Sequence, residues 1–144
     1  MPLEQLFHLA GAFVLPCWLL LLIVPGWRWT QLLATFAAPL LLATLYVVLL
    51  FRGHPPPGAG FNSLHSVQLL FSVPEALLAG WIHYLAFDLF TGAWIARDAV
   101  RHRIARLAVA PCLVLTFLFG PAGLASYLLL RFALRRLIGV EATA

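Results

Sequence analysis

Two ionisable side chains stand near the middle of a hydrophobic segment, His83 and Asp88 in Trp81-Ile82-His83-Tyr84-Leu85-Ala86-Phe87-Asp88-Leu89-Phe90. A carboxylate at the centre of a bilayer-crossing helix costs roughly 3 kcal/mol on insertion scales, so Asp88 is expected to face other helices, to be partnered or to be protonated. Apolar surroundings favour the neutral forms of carboxyl and imidazole groups alike, which suits such residues to general acid/base work. At 100° per residue His83 and Asp88 lie about 140° apart and define two helix faces. One face carries His83, Phe87, Phe90 and Trp94; the other carries Trp81, Tyr84 and Asp88. Tyr84 and Asp88 are four residues apart, where a phenol can donate to a carboxylate. The rings of Trp81, Tyr84, Phe87 and Trp94 suit a flat or cationic intermediate. A purely structural account competes: a Tyr84–Asp88 bond, His83 locking a neighbouring helix, and aromatics serving as packing or interfacial belts.

Other candidates are positional. Glu75 closes Ser72-Val73-Pro74-Glu75, which has the S-x-x-E form of a capping box, and it is also a candidate acid or base for the same site. His65 and His54 could cap a cavity mouth, with His65 carried as a substrate-binding candidate. Gly120 and Gly123, with Thr116 and Ser126, permit close helix approach or leave a narrow groove for a long flat ligand, and both glycines are substrate-binding candidates on that ground. His8 and His83 as axial haem ligands have no spacing in their favour, and no H-x-x-E-H or C-x-x-C occurs, so no metal and no cofactor is expected. The Arg97-to-Arg106 stretch, with four arginines, could grip an anionic headgroup, but topology control and lipid contact explain it as well.

The elements that must position these residues follow from composition. Of 144 residues 63% are hydrophobic and 10% charged. A soluble domain carries roughly 25% charged residues, so this chain cannot cover a water-facing surface. The reading is an all-α integral membrane protein, one membrane domain over residues 1–144, with four transmembrane helices in a compact bundle. The spans are expected at about 3–24, 30–51, 74–95 and 107–130, with a short interfacial helix at about 61–71 before the third. The RGHPPPGAG loop from Arg52 to Gly60 cannot continue a helix and lies outside the hydrocarbon or under protein. Pro16, Pro39, Pro111 and Pro121 interrupt three spans, each freeing the carbonyl four residues earlier, such as Phe117 for Pro121. Cys17 and Cys112 sit inside apolar runs and act as small hydrophobes.

All nine basic residues are arginine. They flank hydrophobic segments and need no nucleic acid to explain them; membrane lipids and a hydrophobic small molecule are the expected partners, with a homo-oligomer left open. With four spans the arginines divide nearly evenly, four on the side of both termini against five on the other, which leans both termini outward.

Three stretches carry a resemblance: Leu15-Pro16-Cys17-Trp18-Leu19-Leu20, the Trp81-to-Phe90 segment read as W-I-H-x-L-x-x-D-L-F, and Phe119-Gly120-Pro121-Ala122-Gly123-Leu124. Together they resemble the abscisic-acid-deficient-4-like family, whose plant members are neoxanthin synthases, over about residues 13–127. The resemblance implies a small membrane protein acting on xanthophylls, where a carotenoid epoxide is isomerised to an allene without a redox cofactor. That reaction asks for protonation of an epoxide oxygen and loss of a ring-adjacent proton, which fits Asp88, His83, Tyr84 and Glu75 as catalytic candidates and Trp81, Phe87 and Trp94 as substrate-binding ones. The first span begins almost at once with no transit segment, so the resemblance is to a bacterial member in the inner (plasma) membrane. The competing expectation is a non-catalytic carotenoid- or lipid-binding protein or assembly subunit.

Overall fold

The computed structural model describes residues 2–135, and every regular element there is helical. Helix α1 (Leu3–Ile23) and the composite helix Arg28–Arg52 form a hairpin around Pro25-Gly26. The composite helix comprises α2 (Arg28–Leu32), a π-helical turn (Leu33–Ala37) and α3 (Ala38–Arg52). Pro39 has no N–H for the Thr35 carbonyl and its ring crowds that turn; the chain answers by widening, with the Ala38 N–H reaching back five residues to Leu33. A loop leads to α4 (Leu64–Phe71), and then come α5 (Pro74–Arg101), α6 (Arg106–Phe119) and α7 (Pro121–Arg135).

Helix α5 is central, packing against α1, the π-helical turn, α3, α4, α6 and α7. Leu78, Ile82, Leu85 and Leu89 recur at three- and four-residue steps on its buried face, and Ala93, Ala96 and Ala99 continue it. Small residues there let neighbours close in: a side chain at Gly92 would meet the Trp18 ring of α1 at 2.5 Å. The outward faces of α1 and α3 remain apolar and exposed, as helices in contact with lipid require.

Three helices are long and apolar enough to cross a membrane: α1, Arg28–Arg52 and α5. The fourth span expected over 107–130 is absent. Its uncharged run breaks at Gly120, which adopts φ 43° and ψ −96°. The two pieces, of 14 and 15 residues, are each about 21–23 Å long at 1.5 Å per residue, short of a hydrocarbon core of about 30 Å. Pro121 starts α7 without a backbone donor to lose, and Gly123 lets α7 fold back on α6, because a Cβ there would collide with the Thr116 backbone and hydroxyl.

The α6–α7 pair is therefore a re-entrant hairpin. It enters from the end of α5 marked by Arg101, turns at Gly120 beside Asp88, and returns so that Tyr127 and Arg131 meet Asp98. The arginine ledger changes with it. Arg28, Arg97, Arg101, Arg103, Arg106 and Arg131 share one side, with Arg106 donating to the Ile23 carbonyl at the end of α1, while Arg52 lies at the opposite side near the start of α5. The near-even division of a four-span layout does not apply, and the N-terminus and the end of α7 fall on opposite sides. Arg136, also counted in that division, lies outside the described residues.

The interfacial helix is shorter than expected: residues 61–63 precede it, and Ser63 caps it by accepting from the Ser66 N–H at 3.1 Å. The capping box at α5 does not form. Ser72 instead donates to the Leu69 carbonyl at 2.7 Å, Val73 is the cap residue without a side-chain bond, and Glu75 is left as an acid in the first helical turn.

Candidate functional site

Asp88 lies near the midpoint of α5, half-buried, with its carboxylate pressed against the Gly120 turn. A Cβ at Gly120 would stand 2.5 Å from Oδ1 and 2.9 Å from Oδ2. Gly120 thus serves two demands at once, a positive φ and room for a carboxylate. Asp88 Oδ2 is buried with no hydrogen-bond partner. The carboxylate sits where α7 begins, and the partial positive charge of a helix N-terminus favours an anion there.

Tyr84, one turn earlier, donates to the Phe117 carbonyl at 3.3 Å and lies within interaction range of the Asp88 carboxylate. The Phe117 carbonyl is the one Pro121 leaves without a backbone donor, so the helix break that removes the fourth span also supplies the acceptor that anchors Tyr84. Trp81 stacks over Tyr84 at 5.4 Å and 24°, and Phe7 of α1 leans on Trp81 at 5.2 Å. These rings border a cavity of about 650 Å³ between α1, α4 and α5, at the end of α5 away from the arginine cluster. Its lining is largely apolar, including Leu3, Phe7, Leu77 and Leu78, with Glu4 also bordering it and Tyr84 contributing a polar group. A volume of this size is in the range of small-molecule sites. Glu4 pairs with His8 at 3.2 Å, both well exposed.

The structure thus brings Trp81, Tyr84, Asp88 and Gly120 together. The remaining candidates lie elsewhere. His83 is exposed on another face, stacked on Phe87 at 4.5 Å and near Tyr46 of α3 at 5.8 Å. Phe87 is 60% exposed toward lipid. His8 keeps to Glu4 and Phe7, so the imidazoles of His8 and His83 have separate neighbours. Glu75 is thirteen residues before Asp88 on the same helix, about 20 Å away along its axis. His65 is exposed on α4, and His54 is exposed in the loop before it. Trp94 borders a second groove of about 310 Å³ between α5 and α7, with Phe90, Thr91, Leu124 and Leu128, and meets Tyr127 edge-on at 5.9 Å. Gly123 belongs to the hairpin turn, against Thr116. Among the described residues no group of three His, Cys, Asp or Glu is placed to hold a metal ion.

Sequence reasoning missed a second polar centre. Asp98, beyond the expected end of the third span at about residue 95, lies inside α5 and is 8% exposed. Its Oδ2 accepts from the fully buried Tyr127 hydroxyl at 2.5 Å and lies 3.3 Å from Arg131 Nη1. Its Oδ1 is 3.5 Å from His102 Nδ1, and His102 Nε2 lies 3.1 Å from Arg131 Nη2. The available signal was the chain break at Gly120-Pro121, which alone brings residues 127 and 131 back to residue 98.

Fold and site together define a compact helical membrane protein in which an orphaned carboxylate at mid-depth is linked by a tyrosine to an apolar cavity. The chain belongs to the ABA4-like (ABA DEFICIENT 4-like) family, whose match covers residues 5–127 and so takes in α1 through the Gly120 turn to Tyr127. No curated protein and no solved structure matches it.

Proposed function

We propose that the protein binds a carotenoid-like or related isoprenoid lipid in the outer cavity and isomerises it by proton transfer at Asp88. The observation that carries this reading is the buried Asp88 Oδ2 with no partner, one helical turn from a tyrosine that borders an apolar cavity. An oxygen without a donor at the centre of a membrane helix costs stability. In the proposed step Asp88 starts as the neutral acid. The reacting ring reaches past Tyr84 to Asp88, which lies one helical turn beyond the cavity lining; the Asp88 proton goes to the epoxide oxygen as the ring C–O bond opens, and the resulting carboxylate takes a proton from the carbon next to the developing cation. One proton is given and one is recovered, so the substrate changes connectivity and not composition. Tyr84 orients the carboxyl, and the Trp81 ring face stabilises positive charge. His83, Phe87, Glu75, Trp94 and His65 have no part in this step.

Family membership supports the reading, as does the apolar lining, which fits an isoprenoid better than a headgroup. The positive-inside rule supports an arginine-rich side toward the cytoplasm, and with it a cavity open to the outer leaflet of the proposed bacterial inner membrane. The placement of His83 away from Asp88 favours one alternative, a carotenoid- or lipid-binding protein without turnover, because the expected base stands on another face of α5. Protein purified in mild detergent, with its co-purifying lipids identified by absorption and mass spectrometry, supplies the substrate to test. Asp88→Asn is then expected to retain that lipid and to lose its conversion by at least a hundredfold. Conversion at the original rate in folded Asp88→Asn would remove the acid/base step and leave binding as the function.

A further inference from the structure

The re-entrant arm α7 is fixed to α5 by close contacts at its two ends, with an open groove along the seam between them. At one end the Gly120 turn rests on Asp88; at the other, Tyr127 and Arg131 bind Asp98 and His102. The gap between is the groove bordered by Phe90, Thr91, Trp94, Leu124 and Leu128. The tip is held by α6 and α7 together, and the far pin fixes the second of these two helices against α5. Each partner at that pin is tied to another: the Tyr127 hydroxyl and Arg131 share Asp98 Oδ2, while His102 reaches Asp98 through Oδ1 and its backbone carbonyl, at 2.9 Å, and reaches Arg131 through Nε2. Asp98, Tyr127 and Arg131 are each at least nine-tenths buried. Bonds of this kind are directional, so they fix the rotation and height of α7 where apolar contact alone would let it slide.

We infer that Asp98, Tyr127, Arg131 and His102 form a latch that positions the Gly120 turn against Asp88, making them positioning residues for the site about 15 Å away along α5. The inference rests on Asp88 being the reactive group, but it concerns the surroundings of that carboxyl and holds whether or not the substrate is a carotenoid. Opening the latch lets the tip rise from the carboxylate and admits reagents from the lipid phase. Three independent placements agree: the tip contact at Gly120, the groove at mid-length and the polar cluster at the base.

The test uses the full chain in lipid nanodiscs and the hydrophobic reagent dicyclohexylcarbodiimide, which labels membrane-buried carboxylic acids, with the modified residue located by mass spectrometry. Tyr127→Phe keeps the ring and removes the hydroxyl, so the protein is expected to stay folded. Arg131→Leu breaks the pin more severely, and Arg131→Lys restores the charge. The labelling rate at Asp88 should rise at least threefold in Tyr127→Phe and in Arg131→Leu and should return most of the way to the parent rate in Arg131→Lys. Hydrogen exchange should increase in the hairpin and not in α1 or α3. Equal labelling of Asp88 in all four folded proteins, or rescue failing in Arg131→Lys, overturns the latch. Should Arg131→Leu fail to fold, Tyr127→Phe and Arg131→Lys decide. Because labelling is read without turnover, a latch that passes beside an Asp88→Asn variant that still converts substrate separates this inference from the proposed reaction.

Discussion

Helix α5 carries two aspartates ten residues apart, and the same re-entrant hairpin meets both. Asp98 is saturated: a tyrosine hydroxyl, a guanidinium and an imidazole surround it. Asp88, set deeper in the hydrocarbon, has an oxygen with no donor and a backbone turn pressed against it. Both carboxyl groups are costly to bury, but only Asp98 is surrounded by donors on both oxygens. The difference separates a carboxylate that holds the fold from one that the fold holds ready.

The largest effect is expected at the saturated site. Asp98→Leu leaves the buried Arg131 guanidinium without its counter-charge and should cost about 3–5 kcal/mol. Thermal or denaturant unfolding in a fixed detergent checks this, and the double variant Asp98→Leu with Arg131→Leu should recover a substantial part of the loss. If the single variant melted like the parent, the contrast between the two aspartates would collapse.

Next comes the turn that joins the two sites. Gly120→Ala places a Cβ against both Asp88 oxygens and demands a positive φ of an alanine, for about 1–3 kcal/mol from the backbone alone. In an Asp88→Ala background the steric part disappears, so the cost of Gly120→Ala should fall. A double-mutant cycle on unfolding midpoints measures that coupling, and strict additivity would mean that the turn and the carboxylate do not touch.

How far the sequence made this contrast visible depends on what each residue needed for recognition. Asp88 was legible because a lone acid in an apolar helix is anomalous by itself, and Tyr84 followed from helical spacing. The centrality of α5 was legible for the same reason, since polar groups on two faces need neighbours on both. The hairpin was not. Residues 107–130 form a run long enough to cross, and length outweighed Gly120-Pro121, although each of the two residues signals a break. From that misreading followed the loss of Asp98. Its partners lie 29 and 33 residues further on and meet it through a turn at Gly120, while α5 continues to Arg101 through residues that composition assigned to a polar loop. His83 was legible as an anomaly too, yet periodicity could not say that its face is the one turned toward Tyr46 and lipid.

A smaller effect is expected at Tyr84→Phe. The hydroxyl donates to the Phe117 carbonyl, which has no alternative donor in its helix because of Pro121. Losing one such bond costs about 0.5–1.5 kcal/mol. The infrared carboxyl band of Asp88, assigned by its disappearance in Asp88→Asn, should shift at the same time if the phenol acts on both the carbonyl and the carboxyl. An unmoved band would confine Tyr84 to helix anchoring.

The smallest stability effect is expected at the residue with the largest functional one. Asp88→Asn keeps the shape of the neutral carboxyl and gives up no hydrogen bond at Oδ2. The unfolding midpoint should stay within about 1 kcal/mol of the parent, since one neutral polar group replaces another of the same shape. A fall as large as that of Asp98→Leu would show that Asp88 has partners that matter to folding and would make the two aspartates alike. Set beside a hundredfold loss of conversion, an unchanged midpoint has one physical reading: the Asp88 carboxyl serves the reaction and not the fold, with one oxygen left without a donor in the resting structure.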